Sequence, residues 1–392
     1  MASDTSSGAR GDRFAELLPA ELIPLFDDRF VGSCTLFEEY VHRLAVRVVR
    51  STGLGAAASE PGTPVEFAAR AGLDPARAPV AVSWLLATLA LNGRATRAGD
   101  GRFHIPAALP QLDPEEVVLA QERHDPSALA SYRLAARAAE QYPLVLRGTV
   151  SGEEALFAPD RIGAWFEYFS NDNVIYAISN RIGAIAVERA LHGDGGAILE
   201  LGGGLGSGTA AALERFTETG RLAAVRSYHL TEIAPSLLRR GQRRLAGRFP
   251  GVPLSCGRLD MDRPFGEAEV EEGSYALVYG VNTLHVARDL EFTLAEVRRA
   301  LAPGGALVLS ECVRPFPGRP VYLEFPFNLL EAFRAPRLVE PWRPNGGFLS
   351  PEHWVAALEA CRFREVTVYP DIARIREACP AFVVAAITAV RA

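Results

Sequence analysis

Lysine is absent from this 392-residue chain; all 41 basic residues are arginine. That absence excludes Schiff-base chemistry, covalent attachment of pyridoxal phosphate and the lysine of a phosphate-binding P-loop. Cysteine is scarce as well: five residues, at 34, 256, 312, 361 and 379, show no C-x-x-C spacing. They read as packing thiols in a reduced interior rather than a disulfide frame. The histidines at 42, 104, 124, 192, 229 and 353 show no metal-ligand spacing, so no metal is expected. No apolar run reaches 18 residues, and the start, MASDTSSGARGDR, is polar. No membrane span or signal peptide is therefore expected, and the reading is a cytoplasmic protein with a disordered start over 1–15. A net charge of −6 argues against a nucleic-acid partner, which needs a basic face.

What is present centres on residues 197–213, AILELGGGLGSGTAAAL. An apolar run closes on Glu200 and is followed by glycines at 202, 203, 204, 206 and 208. This pattern predicts a buried strand turning through flexible backbone into a helix, with room for a ligand against the peptide groups. A plain tight turn would read the same way. A dinucleotide site would set its pyrophosphate on the helix N-terminus, but the acid ahead of Gly202, Gly204 and Gly206 repels an anion and holds a cation. About thirty residues on, SYHLTEIAP predicts a second strand ending at Glu232, a carboxylate able to accept both hydroxyls of a ribose. LSCGRLDMDRPF then places Asp260 and Met261 at the end of a third strand. YALVYGVNTLHVARDLEFTLAEVRRALAPGGALVLSE reads as strand, loop, amphipathic helix, Pro-Gly-Gly turn and strand, the βαβ rhythm of a parallel sheet.

The glycine loop and its acid resemble motif I of the class I S-adenosylmethionine-dependent methyltransferases. The resemblance implies an α/β, Rossmann-like sheet and a cofactor with cationic sulfonium and ammonium groups, leaving as S-adenosylhomocysteine. It implies that Glu200 faces the methionine end, Glu232 the ribose, and Asp260 with Met261 the adenine. Asn282, following the fourth strand, is counted with the cofactor-binding residues.

The length predicts more than one core. Expected divisions are a helical domain over 16–150, connecting helices and substrate cover over 151–190, and a catalytic domain over 191–392. In the first half, the segment from 63 to 106 predicts two helices joined by a Gly-Leu-Asp-Pro turn, then a hairpin turning at Ala98 to Gly101. This is a helix-turn-helix with a wing, but its second helix, PVAVSWLLATLALNG, has no arginine to reach a base edge. It is similar to the N-terminal winged-helix domain of small-molecule methyltransferases, which implies a homodimer. Between the halves, Phe169, Asn173, Tyr176 and Asn180 fall on one side at helical spacing. They line a substrate pocket or belong to the core.

His285, in the loop after the fourth strand, stands where ligands sit in parallel α/β sheets. It is suited to remove a proton, or else only hydrogen-bonds backbone. Glu311 ends the next strand, and adjacent strand ends would bring its carboxylate to one ring nitrogen.

NTLHVARDLEFTLAEVRRALAPGGALVLSE resembles the C-methyltransferase domains of polyketide synthases, mainly over 195–315, with weaker similarity in FLSPEHWVAALEACRFREVTVYP. The resemblance implies that His285 and Glu311 form the dyad that deprotonates a carbon between two carbonyls of a small or carrier-protein-bound acyl substrate. No ketosynthase, acyltransferase or carrier segment is present in the 392 residues, so a freestanding enzyme of natural-product biosynthesis is expected. The winged first half instead resembles O-methyltransferases, leaving carbon and oxygen acceptors open. A cyclase that retains the cofactor without methylating, and a regulator that senses it, are the rival readings. The stretch 324–348 is expected to form a lid or a packed surface loop; Arg334, Arg337 and Arg343 within it could bind a carboxylate, a phosphate or a carrier protein, or simply be solvated.

Overall fold

Alternation and continuous apolar runs give seven strands: β1 (Gly196–Leu201), β2 (Val225–Thr231), β3 (Leu254–Gly257), β4 (Tyr275–Val281), β5 (Leu301–Cys312), β6 (Phe363–Tyr369) and β7 (Val384–Arg391). In the computed structural model, which describes residues 16–193 and 195–392, they form one sheet in the order β3-β2-β1-β4-β5-β7-β6. The first five run parallel, and β7 is antiparallel to both β5 and β6. The central strands are apolar on both faces because helices cover both: Ile198, Leu199, Leu277, Val278, Leu307, Val308 and Leu309 are all fully buried. The order reverses between β1 and β4, and in such sheets a crevice opens there at the carboxyl ends of the strands.

Helices alternate with the parallel strands and carry the crossovers between them. α1 (Val174–Ala190) precedes the sheet, α2 (Ser207–Glu218) follows β1, and α3 (Pro235–Leu245) follows β2 with proline in its first turn. α4 (Leu290–Ala300) is capped by Asp289, whose carboxylate accepts the Phe292 amide at 3.2 Å. The Pro-Gly-Gly that follows does not end in a separate turn. Residues 302–305 bulge within β5, whose pairing with β4 shifts from Leu301 to Ala306.

The chain divides into two compact units, at places the sequence did not mark. The sheet unit holds the residues through Leu25, Phe169–Pro317 and Pro336–Ala392; the other holds Phe26–Tyr168 and Gly318–Ala335. The boundaries expected at 150 and 190 are thus replaced by breaks after 25, 168, 317 and 335. The stretch 324–348 is divided between the units, its first part through Ala335 in one and the rest in the other. The disordered segment expected over 1–15 lies outside the described residues.

The second unit is mostly helical. Helices Asp28–Ser51 and Leu129–Leu146 share an aromatic cluster in which the Tyr40 and Tyr132 rings lie 4.6 Å apart. Helices Pro64–Arg70 and Ala78–Leu91 are followed by a two-stranded antiparallel hairpin pairing Thr96 with His104, as the spacing predicted. The returning segment 318–335 is tied in by buried bonds: Trp84 Nε1 donates to Glu324 Oε2 at 3.0 Å, and the Tyr142 hydroxyl donates to the Phe325 carbonyl at 2.6 Å. Among the described residues no helix is long and apolar enough to cross a membrane.

Trp84→Phe removes a donor from a buried carboxylate and part of a ring packed 5.7 Å from Phe325. A loss of about 2 kcal/mol is expected, read as a lower urea midpoint at unchanged slope, whereas exposed Leu119→Ala should leave the midpoint in place.

Candidate active site

The apolar run of β1 ends in an acid with almost no water around it. Glu200 is 1% exposed. Its Oε2 accepts the Thr209 hydroxyl and, at 2.7 Å, that of Tyr228. Burial pushes this carboxyl up to about 7 against the pull of those two donors, and neighbouring Glu232 pushes the same way. Its Oε1 faces the glycine loop, since a Cβ on Gly208 would stand 2.7 Å from it.

The loop glycines serve different ends. At Gly202 and Gly206, both with positive φ, a Cβ would strike Thr283 Oγ1 at 2.0 Å and the Leu245 side chain at 2.6 Å, so these two permit close packing. Gly204 is open: no atom lies nearer than 4.0 Å to where its Cβ would be, and one at that distance is Glu232 Oε2. Glu232, at the end of β2, accepts the Gly204 amide at 3.0 Å and the Ala234 amide at 2.8 Å. Burial pushes its carboxyl up, and these backbone donors pull it back. Asp260 and Met261 lie in the loop beyond β3 rather than on the strand, with Asp260 Oδ1 accepting the Asp262 amide at 3.0 Å and the Met261 carbonyl accepting the Thr293 hydroxyl at 3.0 Å.

Asn282, expected among the cofactor contacts, has the carbonyl end of its side chain engaged by the fold. It adopts a left-handed φ of 47°, and its Oδ1 accepts the Cys312 amide at 2.6 Å while its own amide donates to the Ser310 carbonyl at 2.8 Å. The carbonyl end of the side chain thus pins the β4 turn to β5.

That turn brings His285 to Glu311. Nδ1 and Oε2 are 2.6 Å apart, and the two side chains are 5% and 0% exposed. The other carboxylate oxygen, Oε1, accepts the amides of Thr283 at 3.1 Å and Leu284 at 3.0 Å. With Nδ1 bound to the carboxylate, Nε2 is the ring nitrogen suited to act as base. Two residues from far along the chain close around the imidazole. The Phe348 ring stands edge-on at 4.7 Å, and Arg343 Nη2 donates to the His285 carbonyl at 2.5 Å. The sequence offers Arg343 only as an anion-binding or solvated arginine and assigns Phe348 no role, and neither carries a local motif. Arg337 is held instead by Asp289 and Glu291 on the surface, and Arg334, in the other unit, donates to the Arg77 carbonyl.

The stripe of Phe169, Asn173, Tyr176 and Asn180 does not lie on one helix. A turn spans 169–173, where Ser170 and Asp172 bond each other, and Asn173 sits at the N-terminal cap position of α1. Phe169 and Tyr176 still meet, ring centroids 5.2 Å apart. Burial pushes the Tyr176 phenol far up, with Cys312, Glu200, Glu311 and Glu232 adding to it, so it feels both the glycine-loop acids and the dyad. Asn180 donates to Asn171 at 2.7 Å, which in turn donates to the Ser207 carbonyl at 2.9 Å. Asn180 Oδ1 is buried with no hydrogen-bond partner and lies 3.6 Å from the Cβ position of Gly208.

These features fit S-adenosylmethionine. An orphaned acceptor and a carboxylate oxygen converge on the glycine loop where an ammonium group can donate, and the open face of Gly204 beside Glu232 leaves room for a ribose. Among the described residues no group of three or more His, Cys, Asp or Glu side chains could hold a metal ion.

Residues 199–307 match the family model described as "Methyltransferase domain". Together with the sheet order and the glycine-rich first turn, this match defines a class I S-adenosylmethionine-dependent methyltransferase. The chain is related more particularly to the methyltransferase domains of polyketide synthases. It is 29% identical over 233 residues to highly reducing polyketide synthase 2 of Gibberella zeae, a match covering 58% of this chain and 9% of that protein. Among solved structures it is similar to the CurJ carbon methyltransferase, with a TM-score of 0.76, 24% identity and coverage of 97% of this chain and 98% of that one. The methyltransferase domain of citrinin polyketide synthase gives 0.71 at 17% identity, covering 100% and 98%. These structural likenesses concern the fold. The chain spans about a tenth of the length of the curated relatives it matches.

A cation against Glu200 favours the ionised carboxylate. With its folded pKa raised to about 7, the acid is mostly protonated at pH 6 and mostly ionised at pH 7.5. Affinity for S-adenosylmethionine should therefore rise roughly five- to tenfold over that interval. Titration calorimetry at both pH values checks this, and Glu200→Gln should bind more weakly with a flat profile. In the unliganded protein the sign is opposite: an acid with a raised folded pKa makes stability fall as pH climbs from about 4.5 to 7.

Proposed function

We propose that the protein methylates an acidic carbon, such as the one between the two carbonyls of a β-ketoacyl thioester, and that His285 is the base. The observation that carries this reading is the buried His285–Glu311 pair, 2.6 Å apart at the carboxyl ends of adjacent parallel strands. S-adenosylmethionine supplies an electrophilic methyl group on a sulfonium. His285 Nε2 takes the proton from the acceptor carbon, and Glu311 stabilises the imidazolium through Nδ1–H. The carbon's electron pair forms the new C–C bond as the methyl–sulfur bond breaks, and the proton leaves from Nε2 to solvent. Glu200, Asn180 and Glu232 bind and orient the cofactor, with Asp260 and Met261 at its adenine end. Tyr176 and Phe169 line the acceptor's side. A dry setting favours the step, because both reactants lose charge separation as the methyl moves.

The relatives are polyketide synthases, which supports an acceptor presented as a thioester on a carrier. An O-methyltransferase would use a similar base, so the position of the new methyl decides between them.

With an isotopically labelled methyl donor and a β-ketoacyl thioester, mass spectrometry and NMR should locate one methyl on the α-carbon. His285→Ala should lower kcat by about 10²–10⁴-fold while cofactor affinity stays within twofold. Glu311→Gln keeps an acceptor for the Thr283 and Leu284 amides and should retain more activity than His285→Ala. Methyl found on oxygen would overturn the carbon reading, and full activity in His285→Ala would remove the base.

A further inference from the structure

Arg343 is 0% exposed, yet two of its three guanidinium nitrogens, Nε and Nη1, have no hydrogen-bond partner. Only Nη2 is engaged, on the His285 carbonyl. A desolvated cation in this state is costly, and natural structures keep such groups where something else repays the cost. Burial pushes its pKa down to about 10, Glu311 pulls it back, and Arg314 adds to the depression. It stays charged at any working pH. Its backbone is fixed by two bonds with Val339, at 2.6 and 3.0 Å, and the segment is anchored by Arg337 to Asp289 and Glu291. The guanidinium is therefore held beside the dyad by elements of the same unit.

Charge accounting shows what is missing. Before reaction Glu311 and Arg343 cancel, with His285 neutral. Once His285 takes a proton the three groups carry one net positive charge, and the acceptor carries the negative one on its oxygen. We propose that Arg343 forms an oxyanion site for the acceptor, its unpaired N–H groups donating to the enolate oxygen that appears when His285 removes the proton. The ligand class is an enolate or an equally delocalised oxyanion. This rests on the carbon-acid reading above and adds the group that lowers the cost of forming the anion.

The probe is acetylacetone, a β-diketone whose enolate has its own ultraviolet band, titrated into the protein loaded with S-adenosylhomocysteine. Wild type should bind the ionised form, Arg343→Gln at least tenfold more weakly, and Arg343→Lys in between. Affinity for S-adenosylhomocysteine should be unchanged in all three, which also reports folding. Enolate affinity that is the same in Arg343→Gln, or no enolate bound by wild type, overturns the proposal. If Arg343→Gln does not fold, the wild-type and Arg343→Lys titrations decide, equal affinities counting against it. Methyl transfer is scored separately. Enolate binding that depends on Arg343 without carbon methylation removes the carbon-acid reading and leaves the oxyanion site, whereas carbon methylation at full rate in Arg343→Gln removes the oxyanion site alone.

Discussion

The catalytic end of the sheet depends on the carboxylate of Glu311. It has no contact with water and survives because three donors converge on it: the amides of Thr283 and Leu284 on one oxygen and the His285 ring on the other. Charge-assisted bonds of this kind are among the stronger ones available to a buried group. They satisfy two backbone amides just past the end of β4 and orient the imidazole in the same stroke. The turn after β4, the join between β4 and β5 and the tautomer of the base are thus one problem with one solution. Asn282 reinforces it by capping the Cys312 amide from the neighbouring position.

Two buried acids a short way apart behave differently for reasons of donor type. Glu311 is met by two amides and an imidazole; Glu200 is met by two hydroxyls, which do not hold its proton affinity down against burial. Burial thus raises the Glu200 carboxyl to about 7, where a bound cation would favour its ionised form. Because every strong cation in the chain is an arginine, the positive side of this balance is permanent. A lysine buried as deeply as Arg343 would shed its proton far more readily.

The sheet, the glycine loop and the dyad were legible because each is written in a short stretch whose spacing maps onto strand ends. Glu232 could be found the same way, thirty residues from Glu200, because parallel strands repeat at that interval. The contact of Arg343 and Phe348 with the base was not legible: they reach His285 from 58 and 63 residues away through an irregular loop, and nothing local distinguishes Arg343 from Arg337, which pairs with surface acids instead. The Phe169 to Asn180 stripe misled for the opposite reason. Its periodicity is real, but Ser170 and Asp172 offer the backbone local partners that compete with helix. The unit boundaries escaped because no composition shift marks residues 317 and 335, where the chain leaves the sheet unit and comes back.

That excursion bears on how the chain is made. Residues 26–168 leave the ribosome ahead of the sheet, but Trp84 and Tyr142 find their partners only in Glu324 and Phe325, 240 and 183 residues further along. By then five strands of the sheet have been synthesised. The helical unit therefore cannot complete its core in the order of translation; it must wait, partly assembled, for a segment that arrives with the second half. Such long-range closure is slow. It leaves the early-emerging helical unit open, and in need of protection from aggregation, while five strands of the sheet are being added.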